Sequence, residues 1–282
     1  MDVSKHRSAE FRNLVYSEYK KNGRTFPWRE NLDPWGILVS ELMLQQTQTE
    51  RVVPYWKRWM EKWPSPSALA EASLEEVLRE WSGLGYNRRG KYLKESAVII
   101  ERDFGGIVPC VPETLVKLPG IGPYTAGAIA CFAYNYPSVF IETNIRSVML
   151  HFFFPDREGI SDSEIIPLIK ETLDNKDPRK WYWALMDYGA ILKKTNTNPN
   201  RRSVHYGRQS AFSGSFRQIR GSLIRVLVAR GPATAEELLL RLKSDLGTES
   251  DLPSREDFYK ALDVLNRESI VAEESGVYRI SG

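Results

Sequence analysis

The stretch that decides the fold is Leu118-Pro119-Gly120-Ile121-Gly122-Pro123-Tyr124-Thr125-Ala126-Gly127-Ala128. Its two closely spaced glycines, flanked by prolines, predict a tight turn with a bare backbone. A short helical stretch over 112–118 precedes the turn, and a second helix is expected to start near Pro123. The first N–H groups of that helix have no partner within it and lie at its positive end. This geometry is typical of a phosphate-binding site.

From residue 8 to about residue 205, the sequence has the pattern of amphipathic helices separated by short Pro/Gly turns. One helix begins with Ser73 at its N-cap and Glu76 three residues later, which is the spacing of a capping box. Gly83 is expected to end that helix, and its apolar residues recur at helical intervals: Leu74, Val77, Leu78 and Trp81. No long alternating strand pattern occurs here. This part of the chain is therefore predicted to be all-α.

The pattern changes after residue 215. Helices are predicted over Phe216–Ala229, Thr234–Leu242 and Arg255–Leu265, and the second of them begins with a capping-box spacing. Two short strands on either side of Gly276 then predict a β-hairpin. Three helices and a hairpin indicate a small winged-helix-like domain. We expect a first domain over 1–209, a linker over 210–216 and the winged-helix-like domain over 217–282.

The charge of the chain is unevenly distributed. The sequence has 39 basic and 36 acidic residues, a net charge of +3 that is too small to identify a partner. However, no acidic residue lies between Asp187 and Glu236, whereas nine basic residues do: Lys193, Lys194, Arg201, Arg202, Arg208, Arg217, Arg220, Arg225 and Arg230. A stretch of one sign is suited to contact with a polyanion such as DNA. The alternative is a solvated basic linker.

The start of the sequence lacks the apolar stretch of a secretory signal, and no apolar run approaches the length that spans a bilayer. Two cysteines, Cys110 and Cys131, cannot form a disulfide framework or a cysteine-ligated metal centre. The three histidines show no metal-ligand spacing. We therefore expect a cytoplasmic protein that does not contact membranes and has no metal site. The protein is also expected to be monomeric and nucleoid-associated.

The glycine-rich stretch resembles the helix-hairpin-helix motif of the endonuclease III and MutY superfamily of DNA glycosylases. Four further segments resemble MutY-type adenine DNA glycosylases in the same order: 26–28 (Phe-Pro-Trp), 40–48 (Ser-Glu-Leu-Met-Leu-Gln-Gln-Thr-Gln), 83–86 (Gly-Leu-Gly-Tyr) and 184–190 (Ala-Leu-Met-Asp-Tyr-Gly-Ala). The resemblance covers roughly residues 10–205. It implies a mostly α fold with two helical lobes around a cleft, into which a mispaired or damaged base of duplex DNA is extruded.

The same resemblance implies the residues that contact DNA. Gln46 stands where the family has an intercalating glutamine, and Tyr86 stands where an aromatic wedge acts beside it. The alternative is that Gln46 lies on a helix surface and has no role in DNA contact. The other predicted DNA contacts are Arg88, the hairpin residues Leu118, Gly120, Ile121, Gly122 and Thr125, and the basic residues Arg201 and Arg202. In that family the hairpin carbonyls can also hold a sodium, potassium or calcium ion.

Cleavage of an N-glycosidic bond needs an acid that protonates the leaving base and a carboxylate that stabilises the cationic sugar. The resemblance assigns the acid to Glu41, which needs a raised pKa for this role. The alternative is that Glu41 is a surface charge. The second carboxylate is Glu142, where the family has an aspartate, and Asn144 keeps the family's polar residue. The extra methylene of Glu142 leaves three interpretations: an adjusted cleft, a different substrate, or reduced activity.

Tyr124 determines the expected type of reaction. Bifunctional relatives have a lysine at this position, whose amine attacks the sugar and leads to strand cleavage. A phenol cannot do this. The resemblance therefore implies a monofunctional glycosylase of base excision repair, without lyase activity, in which Tyr124 and Asn144 position water and sugar.

Two departures from the family affect the cofactor and the substrate. The family has four cysteines that hold a 4Fe–4S cluster, whereas this sequence has Lys193, Asn200, Ser203 and Gln209 at those spacings, so no cluster is expected. Residues 217–282 are also shorter than the domain with which the family reads 8-oxoguanine. Adenine opposite 8-oxoguanine or guanine remains the expected substrate. The alternatives are a thymine or uracil mismatch glycosylase and a non-catalytic sensor of DNA lesions.

Overall fold

The computed structural model describes residues 5–195, 198–207, 215–246 and 253–282. Its elements confirm the prediction of a mostly α fold with a small β-containing C-terminal part. The helices before residue 215 are α1 (Lys5–Asn22), α2 (Pro27–Glu30), α3 (Pro34–Leu44), α4 (Thr49–Lys62), α5 (Pro66–Glu71), α6 (Leu74–Trp81), α7 (Arg88–Phe104), α8 (Pro112–Leu115), α9 (Pro123–Tyr134), α10 (Thr143–Phe153), α11 (Asp162–Thr172), α12 (Pro178–Thr195) and the 3₁₀ turn Pro199–Arg202. The later elements are α13 (Phe216–Arg230), β1 (Ala233–Thr234), α14 (Ala235–Leu246), α15 (Arg255–Arg267), β2 (Val271–Glu274) and β3 (Val277–Ile280).

The chain forms two compact units. Unit 1 contains residues 1–41, 109–117 and 121–208, and unit 2 contains residues 42–108, 118–120 and 209–282. In unit 1, helices α1, α10 and α12 pack around fully buried aromatic side chains, among them Trp181 and Tyr182. Edge-on contacts of Phe11 and Tyr16 with the Trp181 ring attach α1 to this core.

Unit 2 begins with a helical layer over α4–α7. Trp59 of α4 is buried, and its ring contacts those of Trp63 and Trp81 edge-on, so tryptophans form the centre of this layer. The predicted capping box is confirmed: the Ser73 hydroxyl accepts from the Glu76 N–H, and the Glu76 carboxylate accepts from the Ser73 N–H. The cap satisfies two amide groups at the start of α6, which then presents an apolar face to the core.

The C-terminal module is the part of unit 2 over residues 215–246 and 253–282. Its order of helix, strand, two helices and hairpin is that of a winged helix, as predicted. The hairpin of β2 and β3 turns at Ser275 and Gly276, and the strand order is β1-β3-β2, antiparallel throughout. Strand β1 was not predicted from the sequence, because two residues are too few to show an alternating pattern.

The C-terminal module packs directly onto α6. Leu74 and Leu78 of α6 belong to the same apolar core as Ile224 and Val228 of α13. The module and α6 therefore share one apolar core. The predicted boundaries 1–209 and 217–282 stay a prediction about domains, and most of the predicted linker, residues 210–214, lies outside the described residues.

Candidate active site and DNA interface

Glu41 lies in α3 and belongs to unit 1, with 6 % of its surface exposed. Burial raises the pKa of its carboxyl from the ordinary 4.5 to about 8, and the nearby negative charge of Glu142 adds to the rise. The positive charge of Arg29 opposes it. At neutral pH, Glu41 is therefore mainly protonated, which is the state required of a general acid.

Glu142 stands at the N-cap of α10. One oxygen of its carboxylate accepts the backbone N–H groups of Asn144 at 2.7 Å and Ile145 at 2.8 Å. Burial raises the pKa of Glu142, whereas these two hydrogen bonds and the nearby charge of Lys193 act in the opposite direction. The longer side chain thus bends back onto the helix, and the positive end of α10 holds the carboxylate in place.

Asn144 connects Glu142 to a lysine that the sequence analysis did not assign to the site. The Asn144 side-chain amide donates to the second Glu142 oxygen at 3.2 Å, and Lys193 Nζ donates to Asn144 Oδ1 at 2.8 Å. Partial burial lowers the pKa of Lys193, and the charge of Glu142 counteracts that shift. Glu142, Asn144 and Lys193 therefore form a hydrogen-bonded network, which holds the Glu142 carboxylate and the Asn144 amide in position.

This hydrogen-bonded network depends on the close approach of α10 and α12. A Cβ atom at Gly189 of α12 would lie 2.2 Å from the carbonyl oxygen of Asn144, so only glycine fits there. This explains the glycine in the segment 184–190, which the sequence analysis matched to the glycosylase family without a structural reason.

Tyr124 is the second residue of α9. Its ring packs edge-on against Phe140 with centroids 5.7 Å apart. Burial and the charges of Glu41 and Glu142 raise the pKa of Tyr124 well above its ordinary value, so the phenol is neutral. The structure thus brings Tyr124 into the electrostatic neighbourhood of both carboxyls, as a hydroxyl and not as an ionised nucleophile.

A buried ion-pair cluster was missed in the sequence analysis. Asp187 of α12, which is 2 % exposed, accepts hydrogen bonds from the guanidinium groups of Arg24 and Arg29 at 2.8–3.0 Å. The Arg29 guanidinium also lies over the rings of Phe26 and Trp183. The two arginines flank the segment 26–28, so the signal was present in the sequence, but the partner lies more than 150 residues away.

The two predicted wedge residues share an uncommon backbone conformation in unit 2. Gln46 has φ of +56° and Tyr86 has φ of +48°, in the left-handed region that non-glycine residues seldom adopt. Such conformations cost on the order of 1 kcal/mol each and persist where the surroundings hold them. Strain at both predicted wedge positions is consistent with loops shaped for a function.

Arg89 holds these two loops together. Its buried guanidinium donates to the carbonyl oxygens of Leu42, Met43 and Gln45 on one side. On the other side it donates to those of Leu84 and Gly85. Burial lowers the pKa of the guanidinium to about 10, so it remains charged at neutral pH. Arg89 was not predicted from the sequence, whereas the neighbouring Arg88 was.

The hairpin motif has the predicted turn. Gly120 has φ of +74°, and a Cβ there would lie 2.7 Å from the Tyr92 ring. Leu118 and Ile121 are buried, and Gly122 is the exposed N-cap residue of α9. Thr125 is also buried. The preceding helix α8 ends at Leu115, so the predicted stretch over 112–118 was too long.

The three predicted arginine contacts differ in their surroundings. Arg88 forms an ion pair with Glu268 of the C-terminal module, and its side chain is 47 % exposed. Arg201 is exposed. The Arg202 guanidinium donates to the carbonyl oxygens of Leu150 and Pro155, which ties the 3₁₀ turn to the end of α10. Their contacts with DNA stay predictions.

Other residue types occupy the positions where the family has its cluster-binding cysteines. Lys193 donates a hydrogen bond to Asn144, the Asn200 amide donates to the Thr143 carbonyl at 2.8 Å, and Ser203 forms a β-bridge with Ile160. Gln209 lies outside the described residues. These side chains do not fit an iron–sulfur cluster, which needs thiolates. Within the described ranges, no group of three or more His, Cys, Asp or Glu is placed to hold a metal ion, and no helix there has the length and apolarity needed to span a bilayer.

Comparisons with known proteins identify relatives of this architecture. Residues 39–173 match the model of the HhH-GPD superfamily base excision DNA repair protein. The chain is 37 % identical to an adenine DNA glycosylase of Mycobacterium tuberculosis (strain CDC 1551 / Oshkosh) over 250 residues, which cover 78 % of this chain and 79 % of the relative. It is 35 % identical to an adenine DNA glycosylase of Mycolicibacterium smegmatis over 95 % of both chains. Among solved structures, a thermostable thymine-DNA glycosylase has the same fold, with a TM-score of 0.62 and 23 % identity over 70 % of this chain and 93 % of that one.

Proposed function

Because the chain belongs to the adenine DNA glycosylase family of the HhH-GPD superfamily, we propose that it is a monofunctional glycosylase that removes adenine from duplex DNA. Its place of action would be the nucleoid in the cytoplasm, since DNA is the substrate. The observation that carries the proposal is the pair of carboxyls, Glu41 and Glu142, in unit 1. Their different surroundings support different roles.

We propose that Glu41 carries the proton of this pair. Burial raises the pKa of both carboxyls, but the hydrogen bonds that Glu142 accepts from two backbone N–H groups at the start of α10 stabilise its ionised form. Two carboxyls whose surroundings separate their protonation in this way are suited to an acid and a stabilising anion.

In the proposed reaction, Glu41 transfers its proton to a ring nitrogen of adenine while the bond from the base to the sugar breaks. The bonding electron pair leaves with the base, and a cation develops at the sugar. The carboxylate of Glu142 stabilises that cation, and Asn144 and Lys193 hold the carboxylate in position. Water then adds to the sugar, its proton passes to Glu142, and an abasic site remains.

Tyr124 supports hydrolysis without strand cleavage. The phenol stays neutral, and it offers no amine that could form a Schiff base with the sugar. We propose that Tyr124 positions water or the sugar beside the two carboxyls. The product would then be an intact strand with an abasic site, which breaks only under alkali.

The reaction is proposed to proceed without an iron–sulfur cluster. The sequence has two cysteines in total, and a 4Fe–4S cluster needs four ligands. Hydrogen bonds of Lys193, Asn200 and Arg202 connect this region to α10, so side-chain contacts tie it down.

Adenine is preferred as the substrate because the relative from Mycolicibacterium smegmatis, which aligns along 95 % of both chains, is an adenine DNA glycosylase. The alignment is long enough to include most of the C-terminal module. The thymine-DNA glycosylase is similar at 23 % identity and supports the fold alone.

A single-turnover excision assay tests the proposal. Labelled duplexes contain adenine opposite 8-oxoguanine, guanine or cytosine, and thymine or uracil opposite guanine, each read with and without alkali. We expect an alkali-dependent product from adenine, which is lost in Glu41→Gln and in Glu142→Gln. Glu61→Gln, which changes an exposed glutamate of α4, is the matched control and should retain the product.

Three outcomes contradict the proposal. Product from thymine or uracil alone would assign a mismatch glycosylase of pyrimidines. Cleavage without alkali would show lyase activity. Tight binding without product from any of these duplexes would indicate a sensor of DNA lesions.

A further inference from the structure

A large cavity lies entirely within unit 2. It has a volume of about 1110 Å³, above the roughly 300–1,000 Å³ of a pocket for one small molecule. One wall consists of the loops that carry Gln46 and Tyr86, and the other wall is α13 of the C-terminal module. The cavity is therefore the place where the C-terminal module meets the predicted wedge residues.

The walls of this cavity are cationic. Among the described residues, seven arginines line it, and no aspartate or glutamate does: the arginines are Arg51, Arg79, Arg88, Arg89, Arg217, Arg220 and Arg225. Carboxylates behind the walls pair with four of these side chains. Glu75 contacts Arg79, Asp245 contacts Arg225, and Glu268 contacts both Arg88 and Arg220. Among the described residues, these seven guanidinium groups face three carboxylates, which is an excess of positive charge.

Tyr86 is held between two of these arginines. The Arg89 guanidinium lies 5.5 Å and the Arg217 guanidinium 5.4 Å from the centre of the Tyr86 ring. Arg217 also donates a hydrogen bond to the Tyr86 hydroxyl at 2.5 Å. The C-terminal module thus supports the predicted wedge tyrosine directly, through the second residue of α13.

We infer that the cavity is a binding cleft for a DNA strand and that α13 is one of its walls, so that the C-terminal module is a DNA-binding element. Guanidinium groups bind phosphate oxygens, and an aromatic ring with neighbouring amides binds exposed bases. The cleft offers both, with Gln45, Gln46 and Gln218 on its walls. The inference deepens the proposed function, and it rests on that function for the choice of DNA as the polyanion.

The test measures the salt dependence of DNA binding by fluorescence anisotropy with the full chain. The probe is a duplex with a stable abasic-site analogue, which has no base to excise. The salt concentration runs from roughly 50 to 200 mM. The cleft variants are Arg217→Gln and Arg225→Gln. The matched control is Arg255→Gln, an exposed arginine of α15 that does not line the cleft. Melting temperatures show whether each variant is folded.

Each cleft variant is expected to raise Kd severalfold and to reduce the slope of log Kd against log salt by about 1, the effect of one lost phosphate contact. The control should keep the slope of the wild type. The inference is overturned if folded Arg225→Gln and Arg217→Gln both keep the wild-type slope. In that case the module would have another role, such as recruiting a protein.

The result is independent of the excision assay. Excision of adenine together with unchanged slopes would refute the cleft and leave the proposed function intact. Changed slopes together with no excision of any base would refute the proposed function and leave the cleft intact.

Discussion

Replacement of Glu41 by glutamine is expected to stabilise the fold while it abolishes excision. The pKa of Glu41 is raised from 4.5 to about 8, so the native state keeps a proton that the unfolded state releases above pH 4.5. A carboxyl with a raised pKa costs stability as pH rises from the unfolded value to the folded value, and the cost is constant above the latter. Glutamine has nearly the same shape and does not titrate.

The size of the effect follows from the shift. One pKa unit corresponds to about 1.4 kcal/mol, so the penalty on the wild type is about 1 kcal/mol at pH 5 and about 3 kcal/mol at pH 7. Any cost of placing an amide in this site is the same at each pH. The advantage of Glu41→Gln should therefore grow by about 2 kcal/mol or more between pH 5 and pH 7.

The assay is thermal unfolding of the wild type and Glu41→Gln at pH 5, 6, 7 and 8. For a chain of this size, 1 kcal/mol corresponds to about 2–4 °C in Tm, so the difference in Tm should widen by roughly 5–10 °C from pH 5 to pH 7. Glu61→Gln, at an exposed position, should show no such widening. A constant difference between wild type and Glu41→Gln across this range would refute the raised pKa.

Three further variants test the positioning of the site. Asp187→Asn should destabilise the protein by about 3 kcal/mol or more, measured as Tm, because it leaves a buried arginine charge unpaired. It should also lower the pH at which excision declines, since the uncompensated charge of Arg29 opposes the raised pKa of Glu41. Gly189→Ala should displace Asn144 and reduce the single-turnover rate by about 10²-fold. If the variant excised adenine at the wild-type rate, the close contact between Gly189 and Asn144 would not matter for catalysis. Arg89→Lys should lose part of its fork of hydrogen bonds, lower stability by about 2 kcal/mol and weaken binding to the abasic-analogue duplex. Unchanged Kd and Tm would show that Arg89 does not hold the loops.

The sequence was sufficient for features that depend on neighbours along the chain. The capping boxes at Ser73 and Thr234, the hairpin around Gly276 and the turn at Gly120 all rest on residues a few positions apart, and the structure has them. The left-handed φ of Gly120 follows from the same local pattern.

Features with distant partners could not be predicted in this way. Arg89 contacts carbonyl groups more than 40 residues away, and Asp187 pairs with arginines near the start of the chain. Charged residues usually lie on the surface, so the local pattern gave no reason to bury either side chain. The packing of α13 on α6 likewise depends on a contact between segments about 150 residues apart.

Glu142 shows a different limit. The sequence indicated an extra methylene relative to the family aspartate, but the reach of a side chain depends on the backbone from which it starts. In the structure the backbone of Glu142 is extended, with φ of −131°, and its carboxylate folds onto the first N–H groups of α10. The Glu142 carboxylate therefore has a defined position as the N-cap of α10, which the side-chain length alone did not reveal.

The role of Glu41 as the acid is tested by the pH dependence of single-turnover adenine excision, with enzyme in saturating excess over the duplex. The wild-type rate is expected to decline tenfold per pH unit above about pH 8, because Glu41 must carry its proton to the base. Glu41→Gln should be inactive across the whole range. A rate that increases through pH 8, or substantial excision by Glu41→Gln, would contradict the assignment of Glu41 as the acid.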